Sequence, residues 1–214
     1  MKTKILKING WPYYLLLCSI ALLFTFLGNT FLYTDSLYYS SLGEQYTIEQ
    51  IKRLMAISKS WKWVGYTLVP LLLITRISYS AFCLYIGDLF QETHWGFKQL
   101  FKSALFADTV FCLSVICNFY YYLISNNYHV TDDLSVNCLS LLKYTGKENI
   151  PNWLIFAFNS INVFEILYIL TLAFLIRTIA KANYLKAFVF VCLTYGVGNY
   201  LYIASITFLY LNFS

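Results

Sequence analysis

Arg76, Asp108 and Glu165 are ionisable side chains set well inside long apolar stretches of the chain, and their pairing is the main clue to its chemistry. A charged group at bilayer depth costs about 2.5–3.5 kcal/mol on insertion scales, so in a folded bundle it faces its neighbours or water and pairs. Asn159 and Asn162 extend the polar face that ends at Glu165. Three readings stay open for such a cluster. It can lock helix register. It can hold a proton or ion for transport, as intramembrane carboxylates do in carriers. It can also serve as a polar handle for a membrane partner.

The elements that must carry these residues follow from composition. The 214 residues are 12% charged and 59% hydrophobic, where a water-soluble domain spends about a quarter on charge. Lipid replaces the missing charged surface. A helix needs about 20 residues to cross a hydrocarbon core about 30 Å thick. Spans are predicted near 11–33, 63–87, 103–124, 153–177 and 184–211. The run from Trp11 to Tyr33 is too long for a secretory h-region and no small-x-small site closes it, so it is expected to be retained as the first span. Trp11, Tyr13, Tyr14, Trp61, Trp63, Trp153 and the run Tyr120 to Tyr122 sit at span ends, where amphipathic rings anchor to the interface.

Depth follows by counting along the spans. Arg76 lies thirteen residues after Trp63 and Glu165 twelve after Trp153, each about 18–20 Å along its helix. Asp108 lies five residues into the third span, about 8 Å from its start and nearer the cytoplasm. A cluster of Arg76 with Glu165 and Asp108 is therefore expected, with Arg76 and Glu165 level. Pro70 is expected to kink the second span a turn or two before Arg76.

Five spans put the termini on opposite sides. With a cytoplasmic N-terminus, eight Lys/Arg fall inside and six outside, and the inner segments are the short ones that the positive-inside rule counts. The first outer loop carries an amphipathic helix signal near 48–60, with Thr47 as cap, Gln50 in the capping-box position and Ile48, Ile51 and Met55 at helical spacing. The second, from Ser125 to Asn152, reads as a structured excursion with a turn at Gly146. His129 beside Asp132 and Asp133 is its nearest approach to a site, and a solvated loop is the favoured account. Gly196 and Gly198 permit close helix approach beside Tyr195 and Asn199.

Five of the six cysteines fall inside spans, there is no C-x-x-C pair, and His94 and His129 are the only imidazoles. No disulfide framework and no metal site is expected, nor any cofactor. No Ser/His, His-x-x-x-His or paired-Asp pattern points to a catalytic residue.

Three segments carry a family likeness: Gly96-Phe97-Lys98-Gln99-Leu100-Phe101, Asn162-Val163-Phe164-Glu165-Ile166-Leu167 and Tyr184-Leu185-Lys186-Ala187. Across roughly residues 90–211 the chain resembles bacterial members of the Yip family, five-span proteins related to eukaryotic Rab-interacting membrane proteins. The resemblance implies a cytoplasmic N-terminus, an external C-terminus and a non-enzymatic role in membrane organisation or trafficking. About ten residues precede the first span, without an Asp-Leu-Tyr-Gly-Pro motif, so binding of a prenylated GTPase is not implied.

The expectation is an all-α polytopic membrane protein, one domain over 1–214 built as a bundle of five transmembrane helices, in a bacterial cytoplasmic (inner) membrane. Its expected role is non-catalytic, organising or assisting a membrane system through helix contacts. The alternative is a small-solute or proton-coupled transporter component using the Arg/Glu/Asp cluster. Expected partners are the lipid bilayer and other membrane proteins or a second copy of the chain, with no nucleic acid.

Overall fold

In an apolar medium each backbone N–H and C=O must be satisfied within the chain, which favours helices. The computed structural model, which describes residues 9–43, 46–91, 95–125 and 131–213, is all-helical, with no strand among the described residues. Five helices are long and apolar enough to cross a membrane: Gly10–Phe31, Ile48–Gln91, Phe97–Ser125, Val163–Ala180 and Tyr184–Phe213. The first two are continuous, α1 (Gly10–Phe31) and α3 (Ile48–Gln91), with the short α2 (Asp35–Leu42) between them. The third is interrupted at Asp108, giving α4 (Phe97–Ala107) and α5 (Thr109–Ser125). The remaining helices are α6 (Leu141–Thr145), α7 (Asn152–Ser160), α8 (Val163–Ala180), α9 (Tyr184–Val191) and α10 (Val197–Phe213).

The amphipathic segment predicted near 48–60 is not a separate element. It forms the first turns of the 44-residue α3, because nothing from Ser58 to Trp63 breaks a helix. Gln50 Oε1 accepts from the Thr47 N–H at 2.9 Å, the backward half of a capping box. Ile51 and Met55 are buried, and Lys59 pairs with Asp35 of α2 at 3.2 Å. Pro70 lies within continuous helix, and its carbonyl accepts from the Tyr14 hydroxyl at 2.8 Å.

The predicted fourth span, 153–177, is broken. Ile161 (φ −79°, ψ 97°) and Asn162 (φ −139°, ψ 162°) are non-helical. A stretch of the second long connection closes on them: the Leu141 N–H donates to Ile161 O at 2.9 Å and the Val163 N–H to Leu139 O at 3.2 Å. Non-helical backbone is tolerated in such a bundle where protein covers it, and here the connection supplies its partners. Gly146, at φ 79°, ends α6 where the turn was expected. The fifth span is also irregular, passing through a π-helical turn at Cys192–Gly196.

The tightest packing lies where α3, α4, α8 and α9 meet: Leu84, Leu100, Leu172, Ala173, Ile176 and Val191 are fully enclosed. Gly87 and Gly198 allow the last span to approach α3. A Cβ on Gly87 would sit 2.0 Å from Thr194 Cγ2, and one on Gly198 would sit 2.6 Å from Cys83 Sγ. By contrast α7 and α10 bury no residue.

Candidate functional site

Asp108 occupies the junction of α4 and α5. Its N–H still donates to Ala104 O at 3.0 Å, and its carbonyl accepts from Phe111 and Cys112 N–H at 3.0 and 3.3 Å, so its own backbone groups stay bonded through the turn. The side chain is 1% exposed, and one guanidinium takes both oxygens: Arg76 Nε donates to Oδ1 at 2.9 Å and Nη2 to Oδ2 at 2.8 Å. This fork geometry is the strong form of a carboxylate contact. The Phe111 ring lies 4.2 Å from the guanidinium carbon, a cation–π distance. Arg76 itself remains 41% exposed along its side chain, so it reaches inward from the bundle surface to an enclosed carboxylate.

Glu165 is held differently. Asn162 caps α8, its Oδ1 accepting from the Glu165 N–H at 2.9 Å. Glu165 therefore stands in the first turn of a helix. The carboxylate Oε1 accepts from the Tyr195 hydroxyl at 2.8 Å and from Asn199 Nδ2 at 3.1 Å. Tyr195 belongs to the π-helical turn, and the turn's widened backbone carries its ring inward.

Three expectations are corrected. Arg76 bonds Asp108 and not Glu165, although its charge lies within electrostatic range of Glu165. Counting depth from Trp153 along one helix does not hold, because the break at Ile161–Asn162 resets the register. Asn159 and Asn162 do not extend a polar face to Glu165 in the expected way. Asn159 Oδ1 accepts from Asn137 N–H at 2.8 Å and its Nδ2 donates to Ser135 O at 3.2 Å, which ties down the long connection. Asn162 is a helix cap.

Tyr168 was not singled out in the sequence. It lies three residues after Glu165 on α8 and is fully buried, its ring centroid 4.8 Å from Phe111 and 5.0 Å from Tyr195. Its hydroxyl has no hydrogen-bond partner among the described residues. Ser80 Oγ is close by but donates instead to the Arg76 carbonyl at 3.1 Å. The i, i+3 pair Glu165/Tyr168 and the i, i+4 pairs Arg76/Ser80 and Tyr195/Asn199 were the available signals for these neighbours.

Among the described residues no group of three His, Cys, Asp or Glu is placed to hold a metal. His94 and His129 lie outside the described residues, as does the side chain of Asp132. All six cysteines are free, and burial pushes the Cys138 thiol up from its ordinary pKa. On the outside of the bundle an apolar groove of about 350 Å³ runs between α7 and α10, lined by residues such as Trp153, Ala157, Tyr200, Ala204 and Phe208. No protein-family model, curated protein or solved structure matches the chain.

Proposed function

We propose that this chain is a non-catalytic integral membrane protein that organises or assists a membrane system through helix contacts. The observation that carries the reading is the closed form of the Arg76–Asp108 pair. Both carboxylate oxygens are consumed by one guanidinium at an enclosed junction, an arrangement suited to tying α3 to the α4–α5 turn. The surface for contacts is α10, which buries none of its 17 residues and touches its own chain chiefly through α7 and the π-helical turn. The likeness of three short segments to bacterial Yip proteins supports the same reading. The excess of Lys and Arg in short segments supports a cytoplasmic N-terminus and an external C-terminus, in a bacterial inner membrane. Photo-crosslinking from position 201 or 208 of α10 in native membranes tests the proposal. Discrete adducts heavier than the chain are expected, and recovery of monomer alone from both positions sinks it.

A second reading, a component of a small-solute or proton-coupled transporter, is favoured by one observation. Asp108, Glu165 and Tyr195 each stand at a helix irregularity, and interrupted helices are how many carriers build sites at membrane depth.

A further inference from the structure

The charges at this level do not balance. Arg76 supplies one positive charge and commits it to Asp108 through two N–H bonds. Glu165 has no cation of its own. Its two side-chain donors, Tyr195 and Asn199, converge on Oε1, and Oε2 accepts no hydrogen bond from the described residues. Within electrostatic range of it the buried Tyr168 hydroxyl has no hydrogen-bond partner among the described residues. Buried polar atoms in native proteins are almost always bonded to protein or to ordered water, so an orphan hydroxyl among polar neighbours marks a place for water.

We propose that Glu165 binds one exchangeable proton at Oε2, delivered by a water that the Tyr168 hydroxyl holds. The proton leaves a hydronium-like water, forms the O–H bond at Oε2 and cancels the unpaired negative charge, and the water remains on Tyr168. The occupant is a proton and not a metal ion because the groups aimed at the carboxylate are donors, whereas a metal ion needs a shell of several oxygen acceptors. The titratable and charged groups facing Glu165 are Arg76 from α3, Tyr195 from the π-helical turn and Tyr168 from its own helix, with Asp108 of the α4–α5 junction facing Tyr168. Asn199 of α10 adds a neutral donor. The inference is independent of the helix-contact reading: a chain that finds no partner can still hold this proton, and one without it can still be crosslinked.

Infrared difference spectra of the full chain in lipid nanodiscs, between acid and alkaline pH in potassium buffer, test it. Apart from the bands of the water-facing acids, one high-frequency carbonyl band of a poorly hydrated carboxylic acid that titrates is expected in the unsubstituted chain. It should vanish completely in Glu165→Gln, whose amide oxygen still accepts from Tyr195 and Asn199, and change frequency in Tyr168→Phe. Absence of that high-frequency band in the folded, unsubstituted chain overturns the proposal, as does its survival in Glu165→Gln. Should that variant fail to fold, Tyr168→Phe decides: a band it leaves unmoved removes the role given to Tyr168 and overturns the proposed delivery. Loss of the band when sodium replaces potassium at constant pH assigns the site to a metal ion and overturns it too.

Discussion

Asp108 and Glu165 are carboxylates of the same bundle, the first enclosed and the second half-buried, and they are satisfied in opposite ways. Asp108 spends both oxygens on one guanidinium, and the pair is electrically complete. Glu165 spends one oxygen on two neutral donors and keeps the other free. A helix junction facing a long arginine becomes a rigid tie. A helix N-terminus facing a tyrosine and an asparagine leaves its carboxylate held by neutral donors, without an ion pair among the described residues.

The sharpest way to break this comparison is Arg76→Ala. It strands the enclosed Asp108 carboxylate and should cost about 3–5 kcal/mol, read by reversible unfolding in mixed micelles. A loss no larger than that of Glu165→Gln would erase the distinction. Next comes Gly87→Ala, which places a methyl against Thr194 in the contact that sets α3 beside the π-helical turn. Overpacking of this kind costs about 1–3 kcal/mol, and combining it with Thr194→Ser should leave the clash in place only if the shared methyl is not its cause. Glu165→Gln keeps an acceptor for Tyr195 and Asn199 and should change stability by less than about 1 kcal/mol. Smallest of all should be the double change Arg76→Met with Asp108→Leu. Replacing both members of a buried pair is often close to neutral, so its melting should return to within about 1 kcal/mol of the unsubstituted chain. Failure to recover would show that the tie depends on more than these two charges.

Much of the helical layout was legible because apolar length dictates it, and five helices of sufficient length and hydropathy are present. The interruptions were harder to see. The break before Glu165 was written in the chain as Asn162-Val163-Phe164-Glu165, a cap followed three residues later by an acid, but the surrounding apolar run outweighed it. The turn at Asp108 has no local signal. Its neighbours are ordinary helix formers, and the side chain that holds it, Arg76, is 32 residues away. Tyr168 and Tyr195 were two tyrosines among 20 in the chain, and only tertiary packing sets them apart.

The length of α3 has a mechanical consequence. At 1.5 Å per residue its 44 residues make a rod about 66 Å long, roughly twice the thickness of a hydrocarbon layer. In a bilayer its first turns, which bury Ile51 and Met55 and pair with α2 through Lys59–Asp35, therefore stand clear of the apolar layer as a stiff mast. A sideways load on that mast pivots the same rod that carries Arg76, so torque applied in the aqueous phase is delivered to the fork on Asp108.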